Sequence, residues 1–296
     1  MTAASRAVVA VLIAATLFGT SATSQALFVP SAPGPSVAAM RLLVGSAGLL
    51  AFVLWRGGAT SLVALWRTPL VWVMGIAVAG YQALFFLGAD LTGVAIGTLV
   101  SLAFAPFIAG VLGWILREGA PGWLWLVATV VAVVGVGLLV HDPNGHAHAW
   151  GIASAVGAGT CYAVYTVLGV RLSRDGHQPS AVLASSFSIG AVLLLPFAVT
   201  SDWWVSGRGV LEVLWLGLAT TTVAYLLFGL GLRALQPGHI ATLNLLEPVV
   251  ATVLAVAVLG ESLGASGWVG VVLVVIALAV LGIGAGSRRA PSLDVS

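Results

Sequence analysis

The chain has 296 residues, 60% of them hydrophobic and 7% charged, with a formal net charge of +2 and a mean hydropathy of +1.13. A soluble domain carries about 25% charged residues, so this composition excludes a surface that meets water on all sides, and the small net charge gives nucleic-acid binding no support. The basic residues are all arginine, and the one cysteine, Cys161, rules out an internal disulfide and a cysteine metal cluster; in its apolar run it reads as a buried thiol.

A bilayer-spanning helix needs about 20 mainly apolar residues. Ten segments qualify: 7–28, 36–55, 69–88, 92–116, 121–140, 150–171, 179–200, 209–232, 238–260 and 265–285. The first follows Arg6 but is too long for a signal peptide and lacks a cleavage site, so it reads as a membrane helix. Turn chemistry or charge punctuates the rest: Pro30 to Pro35, Gly57-Gly58, Arg117-Glu118 with Pro121, Asp142-Pro143, Arg174-Asp175-Gly176, Ser206-Gly207, Gln236-Pro237-Gly238 and Gly260-Glu261. The segments must be helical, because lipid offers no partner to open backbone groups. The links are short and leave no room for an extramembrane domain. The expected fold is an all-α integral membrane protein with ten transmembrane helices.

The arginines set the orientation. With the N-terminus in the cytoplasm, that side holds Arg6, Arg56, Arg67, Arg117, Arg171, Arg174, Arg233, Arg288 and Arg289, while the other holds Arg208. Arg41 lies inside a span. This is a positive-inside bias, and an even span count returns the C-terminus to the cytoplasm. A cell (inner) membrane location follows.

The two halves resemble each other. Tyr81 to Glu118 reads YQALFFLGADLTGVAIGTLVSLAFAPFIAGVLGWILRE, and Ala224 to Glu261 reads AYLLFGLGLRALQPGHIATLNLLEPVVATVLAVAVLGE. Tyr81 answers to Tyr225, Pro106 to Pro248 and Glu118 to Glu261 when gaps of one or two residues are allowed. Each half also pairs a small, hydroxyl-rich span with one that opens on Pro35 or Pro179. Five spans per half is odd, so the second half enters the membrane inverted. Such repeats are typical of secondary transporters that rock around a midplane site. The expected division is 1–145, 146–290 and a cytoplasmic tail, 291–296.

These features resemble the drug/metabolite transporter superfamily, EamA type, over nearly the whole chain. Pro35 followed by Arg41, the LAFAP and LLEP segments, and the tract CYAVYTVLGVRLSR from Cys161 to Arg174 carry the resemblance. It implies ten helices, cytoplasmic termini and export of amino acids, other metabolites or drugs, with threonine/homoserine and aromatic amino-acid exporters as the nearest analogy. The first half has Ala105 where the second has Glu247, and Phe18-Gly19 stands where the family often has a tryptophan.

Polar groups at membrane depth usually face the bundle interior or a wet cavity. Glu247 leads them. It lies nine residues past Gly238, about 13 Å along a helix and close to the midplane. It reads either as a proton-coupling or amine-binding carboxylate, or as a structural glutamate beside the kink at Pro248. Arg41 reads as a structural residue that snorkels to the outer headgroups or pairs with a carboxylate such as Asp90, itself read as a solvated loop residue. Arg41, Asp90, Pro106 and Pro248 are candidates for structural or gating roles. Tyr81, Gln82, Tyr162, Tyr165, Tyr225 and Asn244 are candidates to line a cavity between the halves, with helix packing as the alternative. The serine and threonine clusters at 20–24, 185–188 and 220–222 read as packing devices. His239 reads as a solvated helix-start residue. His141, His146 and His148 with Asp142 lack the fixed frame of a metal site.

The reading is a secondary transporter of a small-molecule substrate across the lipid bilayer, with protons as candidate coupling ion, no cofactor, and a monomeric or weakly homo-oligomeric state. The rivals are a sugar-phosphate or nucleotide-sugar exchanger, which needs more buried cations than Arg41, an intramembrane enzyme, for which no catalytic constellation is visible, and a structural membrane subunit, which needs no midplane carboxylate. A primary pump is excluded by the lack of a P-loop.

Overall fold

A computed structural model describes residues 3–115, 123–141, 148–234, 243–244 and 246–286. The described residues form helices and no strand. In chain order these are α1 (Ala3–Gly19), α2 (Ser21–Phe28), α3 (Gly34–Trp55), α4 (Ala59–Trp66), α5 (Pro69–Thr92), α6 (Val94–Ile115), α7 (Trp123–Val140), α8 (Ala149–Arg174), α9 (Pro179–Ala198), α10 (Gly207–Leu214), a π-helical segment (Trp215–Val223), α11 (Ala224–Ala234), α12 (Leu246–Ala257) and α13 (Ala265–Gly286). Arg117, Glu118, Asp142, His146, His239, Arg288, Arg289 and the tail 291–296 lie outside the described residues.

Seven helical stretches are long and apolar enough to cross a membrane, and Trp123–Leu139, Leu246–Ala257 and Ala265–Val280 are shorter apolar helices. Large apolar side chains such as Ile76, Val133, Val192 and Leu211 stand exposed, while Gln25, Gln82, Ser185 and Thr220 are buried. This is the distribution expected where hydrocarbon is the solvent. Exposed tryptophans sit at helix ends, with Trp55 closing α3, Trp72 near the start of α5, Trp123 opening α7 and Trp150 opening α8. Such aromatic belts mark the two membrane surfaces.

The structure departs from the sequence expectation at four places. The first span is broken at Thr20, between α1 and α2. The link after α3 forms the short helix α4, which buries Leu62 and Leu65 and exposes Val63 and Trp66. Helix α5 runs on to Thr92, so Asp90, expected in a loop, is helical although exposed. The eighth span contains the π-helical segment.

Helix α1 packs on α11 and α12, α3 on α9 and the π segment, α5 on α8 and α9, α6 on α8 and α12, and α7 on α13. Two of the crossings depend on glycine. A Cβ on Gly45 of α3 would lie 2.5 Å from Thr221 Cγ2 and 3.2 Å from the Gly217 carbonyl oxygen. A Cβ on Gly75 of α5 would lie 2.5 Å from Ile189 Cγ2 and 3.2 Å from the Ser186 carbonyl oxygen, and one on Gly190 of α9 would lie 3.3 Å from the Gly75 carbonyl oxygen. Only a residue without Cβ lets these backbones approach so closely.

Candidate functional site

The chain has four tyrosines, and the structure gathers all of them. The ring of Tyr81 on α5 lies 5.2 Å from that of Tyr162 and 5.9 Å from that of Tyr165, both on α8. The Tyr165 and Tyr225 hydroxyls are 3.2 Å apart, joining α8 to α11. Phe18 of α1 and Phe187 of α9 pack on Tyr225 at 5.0 and 4.8 Å. Aromatic pairs at these spacings favour tilted or edge-to-face geometry, as here, so the cluster is a fitted wall built from five helices. Its hydroxyls give that wall polar points inside an apolar bundle.

Glu247 faces this wall. It is 5% exposed and lies within electrostatic reach of Tyr81, Tyr162, Tyr225 and Arg41. Asn244 Nδ2 donates to Glu247 Oε2 at 3.4 Å, and Asn244 Oδ1 is buried without a partner. Gly19, the last residue of α1, packs on the Glu247 backbone: a Cβ there would lie 2.7 Å from the Glu247 carbonyl oxygen. The break in the first span therefore sits against the carboxylate-bearing helix. Pro248 is buried, and its carbonyl accepts from Thr252 Oγ1 at 2.8 Å. Pro106 lies inside α6, and its carbonyl accepts from Trp125 Nε1 at 3.4 Å.

Arg41 neither snorkels nor pairs with Asp90. It is 4% exposed; its Nε donates to Thr221 Oγ1 at 2.9 Å, an Nη donates to the Thr220 carbonyl at 3.3 Å, and its guanidinium lies 5.7 Å from the centre of the Phe86 ring. The π segment makes this possible. Its i→i+5 geometry is echoed by Thr221 and Thr222 hydroxyls that donate to the carbonyls of Leu216 and Gly217, five residues back. It turns Thr220, Thr221 and Thr222 towards α3, where Thr222 Oγ1 also donates to the Gly45 carbonyl at 3.1 Å. Asp90 instead accepts from Gln25 Nε2 at 2.9 Å and from the Gly34 amide. Gln82 is fully buried with neither amide atom partnered. It lies one helical turn from Phe86, on the face of α5 that meets Arg41.

Two carboxylates have contacts that the sequence reading did not assign: Glu212, which it did not name, and Glu261, which it named only as a turn and repeat position. Glu212 of α10 is 1% exposed; its Oε1 accepts from Ser24 Oγ at 2.8 Å, and Oε2 has no partner. Its signal in the sequence was a lone acid at the fourth position of the expected 209–232 span, to which the sequence reading gave no role. Glu261 accepts from the amides of Val94 and Ala95 at 2.6 and 3.1 Å, capping α6 from the link between α12 and α13. A carboxylate at a helix N-terminus meets unpaired N–H groups and the positive dipole end. Gly93, at φ +85°, leaves it room. Among the described residues, no set of three histidine, cysteine or acidic residues is placed to hold a metal.

The EamA-like transporter family model matches the chain twice, over residues 5–141 and 149–283. The uncharacterized transporter YwfM of Bacillus subtilis is 38% identical, over 92% of each chain. The threonine/homoserine exporter RhtA of Escherichia coli K12 is 31% identical, over 86% of this chain and 84% of its own length. One protein crystal structure shares the fold with a TM-score of 0.67 at 23% identity, covering 93% of this chain and 96% of that one.

Proposed function

The chain belongs to the EamA-like transporter family of the drug/metabolite transporter superfamily, a multi-pass membrane protein, and we propose that it exports amino acids or related small metabolites by alternating access, with proton coupling through Glu247. The observation that carries this reading is the convergence of Tyr81, Tyr162, Tyr165 and Tyr225 with Glu247 on helices from both ends of the chain. A midplane carboxylate is costly when charged, and that cost is bearable in a site that takes up protons or ammonium groups. The name of RhtA makes threonine and homoserine the first substrates to test.

The ten-span arrangement, with halves 1–145 and 146–290 related by inversion and a short tail after them, is part of the proposal. The packing supports it. Exchanging the halves turns the contact of α1 with α11 into that of α8 with α5, α1 with α12 into α8 with α6, and the α3 contact with the π segment into α9 with α5; α3–α9 and α7–α13 map onto themselves. Gly45 and Gly190 are each the twelfth residue of their helices. Tyr81 follows Gly75 by six residues and Tyr225 follows Gly217 by eight; a π turn holds about one residue more than an α turn, so the π segment absorbs the difference. The arginine bias supports cytoplasmic termini.

The test is transport of L-threonine by the purified protein in liposomes across a pH step. Glu247→Gln should fold and insert yet lose gradient-driven transport. Unchanged pH dependence in that variant would refute the coupling role and leave Glu247 a structural residue.

A further inference from the structure

Among the described residues, the buried charged side chains are Arg41, Glu212 and Glu247. They are not scattered. Arg41 acts electrostatically on both carboxylates, yet it makes its hydrogen bonds to Thr221 and Thr220 and comes within ion-pair distance of neither. The charge is lopsided about the proposed two-fold. Arg41 is the eighth residue of α3, and the eighth residue of α9 is the neutral Ser186, also buried. Among the described residues, no second buried cation completes the set.

We propose that Glu212 is a second proton-binding group of the transport cycle, and that it shares a single proton with Glu247. The argument is electroneutrality. A charge held away from water must be compensated nearby, or neutralised by a proton. One guanidinium compensates one carboxylate. With two carboxylates in its reach, the buried set is neutral when one of them carries a proton. Glu212 is built to take it: Oε1 is satisfied by Ser24, and Oε2 is buried and free to hold hydrogen. When the proton leaves Glu212 for Glu247, Glu212 becomes the anion that Arg41 compensates, and the total charge is unchanged. Among the described residues, the groups that face the pair are few. Around Glu212 they are Ser24 on α2 and Arg41 on α3. Around Glu247 they are Asn244, the Tyr81, Tyr162 and Tyr225 hydroxyls, and Arg41. Glu212 lies five residues into its helix and Glu247 lies on another, so the proton has two stations at different places in the bundle. This deepens the proposed coupling role of Glu247 and rests on it for its place in transport, but not for its test.

The test is infrared spectroscopy of the purified full chain in lipid vesicles at neutral pH, reading the C=O band of protonated carboxyl groups shielded from solvent. Wild type should show one such group. Glu212→Gln and Glu247→Gln should each abolish it, because the remaining carboxylate then has Arg41 to itself. Arg41→Gln should double it. Survival of the band at wild-type strength in either glutamine variant, or its absence from wild type, overturns the shared proton. The two glutamine variants decide the matter even if Arg41→Gln does not fold. A shared proton without threonine transport would instead defeat the functional reading and leave this inference standing.

Discussion

Gly45→Ala tests whether close helix approach holds the site together. The added methyl would lie 2.5 Å from Thr221 Cγ2 and 2.7 Å from Thr221 Cβ, where carbon atoms rest at about 3.5–4.0 Å. Thr221 cannot simply turn away: its hydroxyl donates to Leu216 at 2.8 Å and accepts from Arg41 at 2.9 Å, so rotation gives up both bonds. Moving α3 outward by about 1 Å instead stretches the Arg41 bond beyond the hydrogen-bond range. Overpacking of this kind costs roughly 1–3 kcal/mol, which is about 5- to 150-fold in an equilibrium constant. The assay is the thermal midpoint of the purified protein in detergent, with threonine transport in liposomes alongside. Gly75→Ala meets Ile189 Cγ2 at the same 2.5 Å but lies away from Arg41, so it should lose comparable stability with a smaller fall in transport per folded molecule. Gly137→Ala, whose methyl meets nothing within 4 Å, should behave as wild type. If Gly45→Ala melts and transports like Gly137→Ala, the reasoning is wrong.

Three further outcomes are expected. Gly93→Ala forces a side chain into φ +85° and places a methyl 3.1 Å from Glu261 Oε1, so it should cost about 1–3 kcal/mol, seen as a lowered thermal midpoint; an unchanged midpoint would mean that Glu261 yields freely. Tyr225→Phe removes the bond to Tyr165, worth about 0.6 kcal/mol between membrane helices; threonine affinity should fall by more than that if the hydroxyl faces substrate, and by no more if it is packing alone. Tags at both termini should be protected in intact cells while a cysteine placed at Asp142 is labelled from outside, and external labelling of either terminus would reject the ten-span arrangement.

Much of the helix layout was legible in the sequence because the bilayer imposes one strong rule. Apolar runs of about 20 residues mark spans whatever the detailed packing, and the starts expected at 69, 179 and 265 coincide with α5, α9 and α13. The tyrosines were expected to converge as the lining of a cavity between the halves; the structure brings their rings together, and a part in substrate binding belongs to the proposal. What was not legible depended on backbone geometry. The π segment WLGLATTTV has no composition that separates it from an α-helix; its trace, the two extra residues between Gly217 and Tyr225 relative to Gly75 and Tyr81, lies upstream of the matched stretches. Without that turn, Thr221 could not be placed opposite Arg41, and Arg41 was left to seek Asp90. Glu212 drew no reading at all, because position along a span does not show burial, which is set by which neighbours close over the side chain.

The two places where spans depart from α geometry are bonded to each other. Trp215, the first residue of the π segment, donates from Nε1 to Thr20 Oγ1 at 3.1 Å, at the break between α1 and α2. One turn further, Ser24 of α2 donates to Glu212 of α10 at 2.8 Å. Helix breaks and π turns are low-cost points for bending, and interior helices move as packed bodies around such points. These bonds tie α2 to α10, and the π segment that follows α10 carries the threonines that hold Arg41. Under the proposed shared proton, protonation of Glu212 and the position of Arg41 would be linked through these bonds. A transporter needs such a link, because proton binding must be converted into a difference between two backbone arrangements and not only into a local change of charge. The irregular segments flank the buried charges, whereas the regular α7–α13 pair packs apolar residues such as Leu139 and Val274.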